Sequence, residues 1–236
     1  MDHRTPPSDS LERPLLTPPQ GGGRLVLHSC CAPCAGDVMV ELARSGMEST
    51  VLFYNPNIHP RREYDLRKDE NKRYADRLGV PFHDLDYDRD DWFARVKGLE
   101  MAPERGARCT LCFDMRLERS ALWAADNGFT VFTSTLAASR LKDINQVNAC
   151  GERAAARHAG LRYWTHNWRK KGGAQRMVVI AKELDFYRQQ YCGCTYSLRD
   201  TNARRRAQGR PPVAIGVAMG VASGVNCGAT PKSRVS

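Results

Sequence analysis

Seven of the nine cysteines in this 236-residue sequence fall in three short clusters: Cys30, Cys31 and Cys34 in LHSCCAPC, Cys109 and Cys112 in CTLC, and Cys192 and Cys194 in YCGC. Buried structural cysteines usually occur singly, as small hydrophobes. Grouped thiols point instead to metal or redox chemistry. A CxxC at a helix start sets two sulfurs on one side, where exposed N–H groups favour thiolate over thiol. Cys109 and Cys112, taken with Cys30 and Cys31, supply four thiolates, enough for a tetrahedral zinc or an iron–sulfur cluster. Adjacent side chains tend to diverge in extended structure, so the Cys30–Cys31 pair fits several corners of a cluster better than one ion. Cys34 could still rebuild a zinc knuckle as Cys31–Ala32–Pro33–Cys34, and spacing leaves both metals open.

Cys192 and Cys194 are separated by one glycine. Residues i and i+2 point the same way in extended chain, and glycine permits the bend that brings their sulfurs together. A disulfide closed over so short a loop should be strained and easily reduced, which suits a two-electron store. Further metal ligands or unconnected thiols are the competing readings. Cys150 and Cys227 stand alone and are read as structural or incidental. His28, at the end of the first apolar run, is read as a hydrogen-bonding core residue.

The chain must position these groups. Its 236 residues suit one α/β domain with appendages. Residues 1–23, rich in Pro and Gly, read as a disordered leader without the apolar core of a signal peptide. RLVLH (24–28) and STVLFYNPN (49–57) read as strands, with a helix over 32–46 between them. A charged helix over 61–78 follows, stopped by Gly79 and Pro81, then a weak strand and a helix over 90–99. An amphipathic helix over 110–128, a strand over 129–135, a helix over 142–158, a short strand over 161–164 and a helix over 175–190 complete the pattern. Residues 24–202 are thus expected to form the catalytic domain, and 203–236 a basic, disordered Gly/Ala-rich tail. Alternation of strand and helix predicts a Rossmann-like, mostly parallel sheet with helices on both faces and its metal site at the carboxyl ends of strands.

With 36 Lys+Arg against 26 Asp+Glu, the formal charge of +10 favours a polyanionic partner. From Arg153 to Lys182 there are eight Lys or Arg residues and no acid, with Tyr163, Trp164 and Trp168 among them. Cations bind phosphates and aromatic faces stack on unpaired bases. Arg169, Lys170, Lys171 and Arg176, with Trp168 as a stacking platform, are therefore the candidate RNA-binding residues. No apolar run approaches the roughly 18 residues of a membrane span. Nine cysteines without a secretory signal suggest a cytoplasmic protein.

LHSCCAPC, CTLCFDMRLERSALWAADNGF, FTSTLAASRLKDINQVN, NWRKKGGAQRM and YCGCTYSLRDTN together resemble the epoxyqueuosine reductase QueH family, in collinear blocks from about Arg24 to Asn202. The resemblance implies an oxidoreductase that converts epoxyqueuosine to queuosine at the wobble position of tRNA. It further implies a 4Fe–4S cluster on Cys30, Cys31, Cys109 and Cys112, a redox-active disulfide between Cys192 and Cys194, and an external electron donor. Two other classes compete. A tRNA-thiolating enzyme should carry a glycine-rich phosphate loop after its first strand, and HSCCAPC has none. A zinc-dependent RNA-binding module gives no reason for Cys192–Gly193–Cys194.

Overall fold

The computed structural model describes residues 15–19 and 23–215. Strand β1 (Arg24–His28) lies at the centre, with β2 (Glu48–Phe53) and then β3 (Phe82–Asp84) on one side, and β4 (Val131–Ser134) and then β5 (Arg162–Tyr163) on the other. Every pairing is parallel, and Val26 of β1 stands opposite Thr50 of β2 and Phe132 of β4. Leu25, Val26 and Leu27 are fully buried, as a strand covered on both faces requires.

The crossovers are α1 (Ala32–Arg44), α2 (Arg61–Leu78), α3 (Arg89–Arg95), α4 (Ala107–Asp126) and α5 (Ile144–Ala155), followed by α6 (Gly173–Glu183) and α7 (Thr195–Ala207). α1 packs on α2 and α6, and α4 on α5. Right-handed crossovers place these groups on opposite faces. The chain moves outward from β1 to β3, then returns to the other side of β1 for β4. Strand order therefore reverses between β1 and β4, and that reversal opens a crevice at their carboxyl ends. A short 3-10 turn, Thr135–Ala138, leaves β4 at this point.

Several element ends differ from expectation. The last expected helix (175–190) stops at Glu183, because the chain turns left-handed at Asp185 (φ 48°) and continues as an irregular loop. Aspartate tolerates that conformation by hydrogen-bonding locally. Helix α7 was not expected at all, and it carries the folded region through Ala207, past the boundary placed at 202. Only Ser197 of α7 is buried, so no apolar stripe marks it. Of the expected leader, Leu16 packs against the core and its N–H donates to Ser45 Oγ (3.0 Å). The rest of that leader, save residues 15–19 and 23, lies outside the described residues, as do the tail beyond 215 and Cys227. Among the described residues no helix is long and apolar enough to cross a membrane.

Candidate functional site

The first thiol cluster sits in the crevice between β1 and β4. His28 ends β1 fully buried, with Nδ1 2.7 Å from Ser134 Oγ and Nε2 3.2 Å from the Tyr54 carbonyl. Burial, reinforced by the Arg116 charge, holds its pKa well below the usual value, so it is a neutral core residue as expected. The next turn is held from two sides. Asn55 Nδ2 donates to the Ser29 carbonyl (2.9 Å), and Asn71 of α2 accepts from the N–H groups of Cys31 (3.1 Å) and Ala32 (3.0 Å).

Cys30 Sγ lies 3.8 Å from Cys31 Sγ and 3.8 Å from Thr135 Oγ1. The expected divergence of adjacent side chains does not occur, because the chain bends at Cys30 as it enters α1. Ligand bonds of about 2.3 Å give a tetrahedral edge of about 3.8 Å, so this separation suits two ligands of one ion. Gln189, on the loop after α6, donates to Cys31 Sγ (3.0 Å). The bond to Cys31 and burial hold the Cys30 thiol well above its usual pKa. Cys31 is pulled down by Cys30, but its bond to half-buried Cys34 and its burial prevail and push it up to about 12.

The second cluster opens α4. Cys109 is half-buried and Cys112 buried; the Arg105 N–H donates to Cys109 Sγ (3.2 Å). Burial raises both thiols, Cys109 to about 11. Arg116, one turn beyond Cys112 on the same helix face, donates through Nη2 to Asn55 Oδ1. It thereby ties α4 to the turn that carries Cys30.

The third cluster is fixed by α2 and α7. Arg67, buried and paired with Glu63 (2.6 Å), donates to the carbonyls of Tyr191 and Cys192 (both 3.1 Å). Gly193 is required here: its φ is +115°, and a Cβ would lie 2.9 Å from Ile58 Cγ1. Cys194 caps α7, its Sγ accepting from the Ser197 N–H (3.4 Å), while Ser197 Oγ donates to Glu104 (2.5 Å). Both thiols are free. Cys192 is the more acidic: the hydrogen bond from Cys194 favours its thiolate, and Lys142 adds to this against the cost of burial. Cys194, which donates that bond, is held well above the usual thiol range.

Cys109, Cys112, Cys192 and Cys194 line one cavity of about 230 Å³, together with Arg108, Arg116, Lys142, Trp92 and Arg204. Burial works against the Lys142 charge, but Cys30, Cys192 and Cys34 more than offset it, so the ammonium is held charged between clusters. Arg116 and Lys142 both favour the Cys30 thiolate as well. Among the described residues the buried Arg108 Nε and Nη2 lack hydrogen-bond partners, while Arg116 and Trp92 direct donors at the Cys112 thiol. Cations and idle N–H donors around soft thiols fit a net-negative metal–thiolate group. Among the described residues, no three His, Cys, Asp or Glu side chains stand close enough to hold a single ion as they are. Cys150 is apart from the site, buried in α5 against the Thr110 carbonyl (3.8 Å).

Two of the five expected RNA-binding residues are corrected. Trp168 is 1% exposed and packs edge-on against Trp164, so its face is closed to a base. Arg176 is 2% exposed, with Nε bound to Asp37 (2.9 Å) and Nη2 to Glu41 (2.9 Å). It joins α6 to α1 rather than protein to phosphate. Arg176→Met should destabilise the protein by roughly 3–5 kcal/mol in urea unfolding, since two buried carboxylates would lose their cation. Lys170 and Lys171 are exposed, and Arg169 is half-buried with Nη1 toward the Ser139 carbonyl (3.5 Å). Sequence reasoning missed Lys142, Arg67 and Arg116. Only Arg116 left a signal, its four-residue spacing from Cys112.

A parallel α/β sheet with a thiol-lined cavity near its carboxyl edge defines a protein of the doubly wound α/β class. The family model described as "Epoxyqueuosine reductase QueH" matches residues 25–200. The chain is 58% identical over 204 residues to the epoxyqueuosine reductase QueH of Histophilus somni, covering 86% of this chain and 84% of that one. With the Haemophilus influenzae protein of the same name it shares 55% identity over 213 residues, 90% of this chain and 87% of the other. The Thermotoga maritima relative is more distant, at 32% over 179 residues, 75% and 91% of the two chains. The chain belongs to the epoxyqueuosine reductase QueH family, and it is an oxidoreductase of queuosine biosynthesis.

Proposed function

We propose that this chain reduces epoxyqueuosine to queuosine in tRNA, in the cytoplasm, with Cys30, Cys31, Cys109 and Cys112 holding a 4Fe–4S cluster and Cys192 and Cys194 cycling between dithiol and disulfide. The observation that carries the reading is the single cavity that receives one thiol cluster's CxxC, the Cys192–Cys194 pair and Lys142 together. Converting the epoxide to an alkene consumes two electrons and two protons and releases water. Oxidising one dithiol to a disulfide releases two of each, so the pair balances one turnover. An external electron donor then restores the dithiol. When bound, the cluster supplies one-electron transfer, which zinc cannot.

The chain's own residues do the rest. The Lys142 ammonium is placed to hold a proton near the Cys192 thiolate. Arg67 and Ser197 hold the Cys192–Gly193–Cys194 loop in place from two sides. Nucleoside mass spectrometry after single-turnover incubation of reduced protein with epoxyqueuosine-containing tRNA tests the reading. Queuosine formed in amounts matching the dithiol lost supports it; an unchanged epoxide refutes it.

The exposed Lys170 and Lys171, with Arg169, support tRNA as the partner. Changing all three to Ala should weaken tRNA binding and flatten its salt dependence by up to about three units of slope, since each phosphate contact contributes about 0.9. Fluorescence titration at several salt concentrations reads both. Unchanged affinity would make these residues ordinary solvated surface.

A further inference from the structure

A second cleft, of about 370 Å³, lies beside the thiol cavity and has no part in the chemistry proposed above. It runs between the start of α1, the segment after the 3-10 turn, and α6. Cys34, Arg140, Leu141, Met177, Arg188 and Gln189 are among its walls. The two spaces are neighbours in a strict sense. Leu141 lines both, and the consecutive residues Gln189 and Gln190 line one each. Leu141 is 64% exposed and Val178, also of this cleft, 45% exposed, so the cleft offers open apolar surface.

The walls are chemically uniform. Apolar surface comes from Leu141, Met177 and alanines, cationic surface from Arg140 and Arg188, and no carboxylate lines the cleft. Both arginines are exposed, and neither is paired with a carboxylate among the described residues. The basic turn continues this surface, because Arg169 Nη1 donates to the carbonyl of Ser139, itself a cleft residue.

A nucleobase can enter the thiol cavity only if it leaves its stack, and the nucleotide next to it must then cross the rim. We infer that this cleft is a subsite for the nucleotide adjacent to the modified one, taking its base against Leu141 and Met177 and its phosphate between Arg140 and Arg188. An unpaired RNA loop offers both groups, an apolar base face and a free phosphate. The inference rests on the reductase reading for the identity of the base in the inner cavity, and on the cleft itself for the neighbour.

The test compares two substrates, an anticodon stem-loop carrying epoxyqueuosine and free epoxyqueuosine nucleoside. In the Arg140→Ala/Arg188→Ala variant, the ratio of kcat/KM for stem-loop over nucleoside should fall about tenfold or more, chiefly through KM, as lost phosphate contacts predict. Arg140→Lys/Arg188→Lys should recover most of it. An unchanged ratio, whether both rates hold or both fall together, overturns the subsite. If the unaltered chain reduces neither substrate, the reductase reading fails instead. Binding of an unmodified stem-loop then still decides the cleft: equal affinity for the unaltered chain and the alanine variant would sink it.

Discussion

Replacing Cys109 or Cys112 with Ser should yield colourless protein after anaerobic purification, with iron, acid-labile sulfide and epoxyqueuosine reduction all lost. A serine hydroxyl stays protonated where a thiol releases its proton to solvent as its sulfur binds a metal. Burial already holds Cys109 up at about 11 and raises Cys112, so only a strongly bound cation can keep either as thiolate. The loss should exceed the 10–100-fold typical when a group behind the ligands is changed. Visible absorption, iron and sulfide assays, and turnover measure it. Unaltered protein that reconstitutes as colourless, zinc-stoichiometric material would overturn the cluster, and the 3.8 Å contact of Cys30 with Cys31 would then belong to a single ion.

Cys192→Ser and Cys194→Ser should each abolish epoxide reduction while leaving iron content and tRNA affinity intact. The pair belongs to a different segment from the other four thiols, anchored by Arg67 on one side and by the start of α7 on the other. One thiol cannot form the intramolecular disulfide, so the two electrons have no store. Cys194→Ala, which removes the donor altogether, should also raise the Cys192 pKa, because the hydrogen bond from Cys194 is the main cause of its lowering. Peptide-resolved alkylation against pH reads that change. Loss of iron from the Cys194→Ser variant would move Cys194 into the metal site.

The elements that hold the thiols were legible where the chain carries its own punctuation. Helix α2 begins after Pro60 and ends at left-handed Gly79, and its expected bounds of 61–78 match those observed. β1 was equally clear as an apolar run entering a cysteine turn. Helix α7 was not, because a helix with one buried residue has no periodic stripe to read. Spacing also disclosed the thiol clusters, since ligand chemistry is local in sequence. It could not disclose direction: Trp168 and Arg176 sit in a basic stretch yet point inward, toward Trp164 and toward the carboxylates of α1. Lys142 was invisible for a related reason. Its charge matters through thiols from two distant segments that only the fold brings near it.

The order of the sheet also sets the order of maturation. Cys31 and Cys109 are 78 residues apart in the chain (109 − 31 = 78), and their segments meet only after β1 has gained neighbours on both sides and α4 has docked against it. Small zinc fingers need their ion to fold, because their cores are too small to stand alone. Here a large apolar core surrounds β1, drawn from β1, β2, β4 and the helices packed on them. The proposed cluster is therefore expected to load into an already folded chain. Cells starved of iron should accumulate folded, soluble, inactive chain rather than degraded fragments, and that chain should regain activity on anaerobic loading without passing through denaturant.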